Sequence, residues 1–240
     1  MYLSIIIPAY NEKHRLPKTL KEIDKYLRKQ SYDYEIIVVN DGSKDKTAEV
    51  VRELFSEIKN LRLIDNKENH GKGYVVRQGM LEAKGDYRLF TDADNSTSID
   101  HLEKMWPEFE KGQDVVIGSR DIKGAVLDPP QPWIRNMILG GGFKLFRKII
   151  IGLWKLEDTQ CGFKGFKKKV VEEAFPKCKI DRFAFDPEIL VVVKKLNYKI
   201  KEIPVFWKND PESKVKFKSM IKMALDLLKI RLNLIGRKYD

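Results

Sequence analysis

The pattern of apolar and polar positions along the first 120 residues predicts strands that alternate with helices. Two continuous apolar runs, 3–7 and 35–39, each end at turn-forming residues. Such runs are typical of parallel strands that are buried on both faces. Between them, four apolar residues recur with the period of one helix face: Leu16, Leu20, Ile23 and Leu27.

The alternation continues beyond the second strand. We predict helices at 46–58 and 74–83, and strands at 61–64, 87–90 and 115–118. This order predicts an α/β domain with a mostly parallel, Rossmann-like sheet and helices on both faces. Ligands of such sheets bind at the carboxyl ends of the strands.

After residue 120 the pattern changes. Residues 133–156 are apolar but carry five basic side chains, a combination that a spanning helix does not tolerate and a helix in the membrane interface does. Residues 214–235 again form an amphipathic pattern with lysines grouped on one side. We predict two membrane-interface helices; the alternatives are core packing for the first segment and an ordinary surface helix for the second. No run of about 20 apolar residues predicts a span of the bilayer.

Composition and net charge limit the classes of binding partner that we expect. The 240 residues are predicted to form a single domain, 1–240, and their net charge of +11 indicates an anionic partner: nucleic acid, an acidic membrane or a phosphorylated substrate. The two cysteines are too few for a disulfide framework and indicate a reducing compartment. The first residues lack a signal-peptide pattern. We expect a cytoplasmic protein, peripheral on the cytoplasmic face of a membrane.

The segment most informative about chemistry follows the fourth predicted strand. Asp92 and Asp94 are separated by one residue and are expected to project into the crevice at the strand ends. Carboxylate oxygens are ligands that Mg²⁺ or Mn²⁺ accepts. A D-x-D pair alone also occurs in solvated acidic turns. The prediction of a cation site therefore depends on the position of this pair directly after a strand.

Five segments of the first 120 residues together resemble glycosyltransferase family 2. They are PAYNE at 8–12, NDGSKDKT at 40–47, NHGKGYVVRQG at 69–79, DADNST at 92–97 and GSR at 118–120. The resemblance implies the GT-A fold, with a nucleotide-sugar-binding half at 1–120 and an acceptor-binding half at 121–240. It implies that Pro8, Tyr10 and Glu12 line the base and ribose, and that Asp41 recognises the base. Asp92 and Asp94 would lie at the diphosphate, with Asp94 as the metal ligand and Asp92 beside it.

The basic turn that contains Lys72 precedes a predicted helix. We expect its glycines to allow the backbone to approach a phosphate or sugar.

The second half is similar to the polyprenyl-phosphate glycosyltransferases, a group that includes dolichyl-phosphate glucosyltransferases and mannose synthases. The matching segments are DTQCGFK at 158–164, RFAFDPEIL at 182–190, and IPVFW followed by SKV. The resemblance implies that Arg120 and Arg135 hold the acceptor phosphate. It also implies that a mobile loop over the donor diphosphate contains Lys208, Ser213 and Lys214.

The chain departs from the mannose synthases at three positions. Ser96 stands where they usually have Gln, which puts a further metal contact in doubt, and Asn40 replaces the usual Asp of the first acidic pair. Lys208 replaces their loop arginine, which weakens bidentate phosphate binding.

A phosphate acceptor needs no catalytic base. A phosphomonoester is largely dianionic at pH 7 and can attack directly, whereas a hydroxyl acceptor requires a base near its proton. Asp158 or Asp186 could serve as that base, or could fix the loop and helix that frame the acceptor site.

We therefore predict inverting transfer of a hexose from UDP-glucose to a polyprenyl or dolichyl phosphate, which gives a β-linked product. Transfer of mannose from GDP-mannose is the alternative. We also consider a separate partner that anchors the protein to the membrane. A basic nucleic-acid-binding protein is the alternative of another class, but the bases accompany apolar residues rather than stacking aromatics.

Overall fold

The computed structural model describes residues 1–129, 142–208 and 217–240, which form a mixed α/β fold. The strands are β1 (Leu3–Ala9), β2 (Tyr34–Asp41), β3 (Leu61–Asn66), β4 (Tyr87–Thr91), β5 (Val115–Ser119), β6 (Val126–Asp128), β7 (Phe163–Lys167), β8 (Ile200–Pro204) and β9 (Phe206–Lys208). The α-helices are α1 (Leu16–Leu27), α2 (Thr47–Glu53), α3 (Lys72–Glu82), α4 (Leu102–Glu110), α5 (Gly142–Ile151), α6 (Lys168–Ala174), α7 (Phe185–Lys195) and α8 (Phe217–Ile235).

The described strands build one large sheet in the order β3-β2-β1-β4-β7-β5-β8, beside the small parallel pair β6-β9. The large sheet is parallel except at β7, which runs antiparallel to β4 and β5. The mostly parallel α/β sheet predicted from the sequence is confirmed. The antiparallel strand was not predicted, because its residues, FKGFK, do not form an apolar run.

Alternation along the central strands explains why both faces of the sheet are covered. Ile6 contributes to a core that contains residues of α3 and α7, whereas Ile5 and Ile7 contribute to a core that contains residues of α1 and α4. All three side chains are fully buried. Each full burial of an isoleucine contributes about 1.5 to 3 kcal/mol, so these strands provide the rigid base of the crevice.

The predicted helices are found with small changes of boundary. The helix expected at 46–58 is α2, which gives way after Glu53 to a 3₁₀ turn at Leu54–Ser56. The helix expected at 74–83 is α3, which begins earlier, at Lys72. Of the interface segment predicted at 133–156, residues 142–151 form α5, and its beginning lies outside the described residues.

Helices α5 and α8 contact each other and leave apolar side chains in solvent. The exposed side chains are Leu145 and Ile149 on α5, Trp154 just after it, and Leu225, Leu228, Leu232 and Ile235 on α8. Helix α8 is apolar on two sides, since Leu227 and Ile230 are fully buried on the other. Among the helices that the structure describes, none has the length and apolar character needed to cross a membrane.

Candidate active site

Parallel pairing brings the polar ends of β1, β2 and β4 to one edge of the sheet. Ile6 pairs with Phe90, and Pro8 pairs with Val39. The end of β2, which carries Asp41, and the turn after β4, which carries Asp92, therefore flank the end of β1. The crevice predicted at the carboxyl ends is formed here.

The first carboxylate of the D-x-D segment forms an ion pair with the first residue of α3. Lys72 Nζ lies 2.6 Å from Asp92 Oδ1, and both side chains are partly exposed. Burial opposes the charged ammonium, but the neighbouring carboxylates of Asp92 and Asp186 raise the pKa of Lys72. Lys72 therefore keeps a positive charge inside the crevice.

Asp92 is also enclosed by the loop before β7. Its backbone N–H donates to the Gly162 carbonyl at 3.1 Å. A Cβ atom at Gly162 would overlap the Asp92 carboxylate, so this position requires glycine. The segment around Gly162 thus forms a wall of the crevice.

The second carboxylate has the character of a cation ligand. Burial, followed by the charge of Asp92, raises the pKa of Asp94. Its Oδ1 accepts a hydrogen bond of 2.9 Å from the Ser96 backbone N–H. The Asp92 charge lies close enough to repel the Asp94 carboxylate, and a divalent cation bound there would relieve that repulsion. Within the described ranges, no group of three His, Cys, Asp or Glu residues could hold a metal, so other oxygen ligands would complete the shell.

A fully buried ion pair lies next to these groups. Lys164 on β7 pairs with Asp186 in the first turn of α7, and its Nζ also donates to the Cys161 carbonyl at 2.5 Å. Burial raises the pKa of Asp186, whereas the charges of Lys164 and Lys72 oppose that rise. The Asp186 carboxylate is thus committed to an interior pair, which favours the framing role over that of a base.

Asp41, predicted to recognise the base, braces a turn in this structure. Its carboxylate accepts hydrogen bonds from the backbone N–H groups of His70 and Gly71 and from Asn69 Nδ2, at 2.7 to 3.2 Å. The side chain is buried, and burial raises its pKa. Its role toward a base stays a prediction.

The glycines beside Lys72 serve the chain's own packing. Cβ atoms at Gly71 and Gly73 would overlap the carbonyl groups of Asp181 and Ile180, and Gly71 has a φ of +105°. Residues 180–182 therefore pack against these two glycines. The approach of the backbone of this turn to a phosphate or sugar stays a prediction.

The turn after β1 is held against the start of α2. The Glu12 backbone N–H donates to Thr47 Oγ1 at 2.8 Å, and the Glu12 carboxylate pairs with Arg15 at 2.8 Å. Pro8 is buried within β1, and Tyr10 is partly buried in the turn. The three residues predicted to line the nucleotide therefore lie at the same strand edge as Asp41.

Arg120 lies just beyond β5 and binds Asp158 through two parallel hydrogen bonds. Nε and Nη2 lie 2.7 and 3.0 Å from Oδ2 and Oδ1. The guanidinium also lies 5.3 Å from the centre of the Trp207 ring. Although burial opposes ionisation, Arg120 keeps the pKa of Asp158 well below its usual range. A carboxylate this acidic is a poor base, which favours a structural role for Asp158.

The start of the predicted donor loop lies near the D-x-D segment. Lys208 ends β9, and its backbone N–H donates to the Ser96 carbonyl at 2.8 Å. Arg135, Ser213 and Lys214 lie outside the described residues.

Sequence reasoning missed two residues of this site. Lys164 had a signal, a lysine within a strand that also carries two phenylalanines. Gly162 had none beyond its place in a matching segment, because its role depends on contact with Asp92, 70 positions away.

The sequence matches a known family and known relatives. Residues 4–175 match the model of Glycosyl transferase family 2. A dolichyl-phosphate beta-glucosyltransferase of Trichomonas vaginalis is 40% identical over 97% of this chain and 73% of its own. The dolichyl-phosphate beta-glucosyltransferase of Homo sapiens is 33% identical over 96% of this chain and 75% of its own.

Comparison with solved structures identifies the fold of this chain. Glucosyl-3-phosphoglycerate synthase from Mycobacterium tuberculosis, in complex with Mn²⁺, UDP and its product, aligns with a TM-score of 0.67 at 14% identity. The alignment covers 98% of this chain and 80% of that one. At this identity the likeness establishes the GT-A fold alone. With the family match and the relatives above, it follows that this chain is a glycosyltransferase, a member of glycosyl transferase family 2 within the dolichyl-phosphate beta-glucosyltransferase group.

Proposed function

We propose that the protein transfers glucose from UDP-glucose to the phosphate of a polyprenyl lipid such as dolichyl phosphate, with inversion at the anomeric carbon. One observation carries the proposal: segment 158–162 lies between an acidic group and a basic group. Gly162 contacts Asp92 at one end of the segment, and Asp158 binds Arg120 at the other. An acidic site for the cation of a donor diphosphate thus lies beside a basic site for an acceptor phosphate.

On the donor side, Asp94, with Asp92 beside it, would hold Mg²⁺ or Mn²⁺. When bound, the cation stabilises the charge that develops on the departing diphosphate. Lys72 adds a fixed positive charge and orients Asp92. Pro8, Tyr10, Glu12 and Asp41 would contact the nucleoside, and the loop with Lys208, Ser213 and Lys214 would cover the diphosphate.

On the acceptor side, Arg120 and Arg135 would bind the lipid phosphate. Nε and Nη2 of Arg120 are used by Asp158, which holds the guanidinium plane in place. A phosphate oxygen attacks glucose C1 from the face opposite the nucleotide. The bond from C1 to the β-phosphate oxygen breaks, and UDP leaves. The attacking dianion has no proton to lose, so neither Asp158 nor Asp186 is needed as a base.

Polar atoms near the junction of the two sides are available for sugar hydroxyls. Gln160 Nε2 is buried and, within the described residues, lacks a hydrogen-bond partner, and Ser96 Oγ lies beside the Asp94 carboxylate. A buried polar atom without a partner costs about 1 to 3 kcal/mol, which a bound hydroxyl would recover. These two side chains are our candidates for sugar contacts.

The apolar outer surface of α5 and α8 would rest on the membrane that holds the acceptor. On α8, exposed Lys222 and Lys229 flank the exposed leucines, the arrangement of a helix in the interface. The free, buried Cys161 and Cys178 are compatible with the reducing cytoplasmic face. Because β7, from the second half of the chain, lies between β4 and β5, and β8 pairs with β5 at the edge, 1–240 is treated as one domain.

The test is parallel turnover of UDP-glucose and GDP-mannose on one short polyprenyl phosphate, with the product extracted and its anomer assigned by NMR. The proposal predicts preferred use of UDP-glucose, a β-linked product and loss of turnover with EDTA. Preference for GDP-mannose would overturn the donor assignment. An α-linked product would overturn the single displacement.

A further inference from the structure

A buried hydrogen bond joins Tyr239, in the segment after α8, to Glu188 on helix α7. Tyr239 is fully buried, and its hydroxyl donates to Glu188 Oε1 at 2.6 Å. Asn233 Nδ2 donates to the same hydroxyl at 3.3 Å. Glu188 is itself fully buried, and burial raises its pKa. The tyrosine therefore supplies one of the few polar partners of an interior carboxyl group.

The other partners of Glu188 belong to the segment that precedes α7. The backbone N–H groups of Lys179 and Ile180 donate to its carboxylate at 2.8 to 3.1 Å. Glu188 thus holds the segment that contains residues 179–182, and Tyr239 holds Glu188.

This segment supports the beginning of α3. The carbonyl of Asp181 accepts from the Tyr74 N–H at 3.1 Å, and the Asp181 carboxylate pairs with Arg77 at 2.6 Å. Gly71 and Gly73 leave no room between α3 and residues 180–182, as described above. A displacement of residues 180–182 would therefore displace Lys72, whose ammonium binds Asp92.

We infer that Tyr239 and Glu188 are positioning residues for the donor half of the site: together they hold residues 179–182 against α3 and so place Lys72 beside Asp92. No group in this relay touches the substrates. Its effect on catalysis rests on the proposed function, since it requires that Lys72 and Asp92 bind the donor.

The test uses a matched pair of variants. Tyr239→Phe removes the buried hydroxyl. Tyr198→Phe removes a tyrosine hydroxyl that donates to Glu173 at the same distance, 2.6 Å, on the exposed surface. Steady-state kinetics of the full chain with UDP-glucose and dolichyl phosphate are measured for both.

In Tyr239→Phe we expect the KM for UDP-glucose to rise about three- to tenfold, the range for loss of one hydrogen bond, while the KM for dolichyl phosphate stays within about twofold. Tyr198→Phe should match the wild type. Equal donor KM values in the two variants, or an equal rise of both KM values in Tyr239→Phe, would overturn the inference.

A second measurement needs no substrate. Hydrogen exchange at the amides of His70 and Gly71, which Asp41 binds, should accelerate in Tyr239→Phe and in Glu188→Gln but not in Tyr198→Phe. Unchanged exchange in both relay variants overturns the relay. If the wild type transfers no glucose, the proposed function fails, and the exchange measurement still decides whether the relay exists.

Discussion

The guanidinium of Arg120 and the carboxylate of Asp158 form a bidentate pair, with Nε 2.7 Å from Oδ2 and Nη2 3.0 Å from Oδ1, and the backbone N of Arg120 lies 3.1 Å from Oδ2. The pair connects the end of β5 to the loop before β7. Asp158 is 4% exposed and Arg120 is 24% exposed, so the carboxylate is interior while the guanidinium reaches the crevice. This asymmetry allows Arg120 to be held by Asp158 and still meet a phosphate.

Arg120→Lys keeps the charge but loses the planar fork. We expect the KM for dolichyl phosphate to rise roughly tenfold or more, and the KM for UDP-glucose to change by less than about twofold, because a charged hydrogen bond is worth about 1.5 to 3 kcal/mol. Steady-state kinetics measure both. Arg28→Lys, which alters a pair of equal length between an exposed arginine and the buried Asp24, is the control. Equal losses for both substrates would assign Arg120 to the donor or the fold.

The stability that Asp158 provides should depend on pH. Its folded pKa is lowered, so its contribution is fully present above the unfolded value, about 3.9, and is lost as the pH falls from there toward the folded value. At pH 7, Asp158→Asn should lower the free energy of unfolding by about 3 kcal/mol, since it leaves Arg120 without its partner. Urea unfolding should show the gap to the wild type shrinking below about pH 4. The exposed Asp33→Asn is the control, and a gap that is constant with pH would contradict the ion pair.

Asp94→Asn should abolish transfer while leaving the fold intact, because it weakens the proposed cation site on a partly exposed turn. We expect turnover to fall by about 100-fold or more. In a thermal shift experiment, UDP with Mn²⁺ should stabilise the wild type and not the variant. Asp100→Asn, whose side chain is 67% exposed, should behave as the wild type. Full activity of Asp94→Asn, or wild-type activity indifferent to EDTA, would remove the metal assignment.

Gly162→Ala tests the wall beside Asp92. The added methyl group would overlap the carboxylate and displace it, and a displacement of about 1 Å can cost on the order of 100-fold in rate. We expect kcat to fall accordingly, with the melting temperature largely retained. Gly142→Ala, where a Cβ meets no atom of the described residues within 4 Å, is the matched control. Similar rates for the two variants would show that Asp92 does not require this wall.

The double change Leu228→Asp and Leu232→Asp tests the lipid-facing surface of α8. Both leucines are exposed, at 42% and 67%, and each would gain about 1.5 to 3 kcal/mol if buried in lipid. Flotation with anionic vesicles at low salt should show binding of the wild type, which weakens as salt rises, and loss of binding by the variant. Leu81→Asp, an exposed leucine on α3, should bind as the wild type. Equal flotation of all three would place the membrane contact elsewhere.

The sequence by itself determined the order of the elements and the ends of the strands. Mainly apolar runs placed β1 and β2, and the alternation of strands and helices placed β4, because strands buried on both faces are mostly apolar. The D-x-D segment, the family and the dolichyl-phosphate relatives were also predictable, because they depend on residues that are adjacent in the chain.

Only the tertiary structure decided what these residues contact. The antiparallel strand β7 carries two lysines, so local patterning did not reveal it; burial of Lys164 is stabilised by Asp186, 22 positions away. The packing of Gly71 and Gly73 against residues 180–182, and of Gly162 against Asp92, arises between distant segments. Local periodicity reports which face of an element is apolar, whereas ion pairs and close approaches depend on which elements meet. The sequence therefore predicted the position of the crevice, whereas the contacts that shape it were visible only in the tertiary structure.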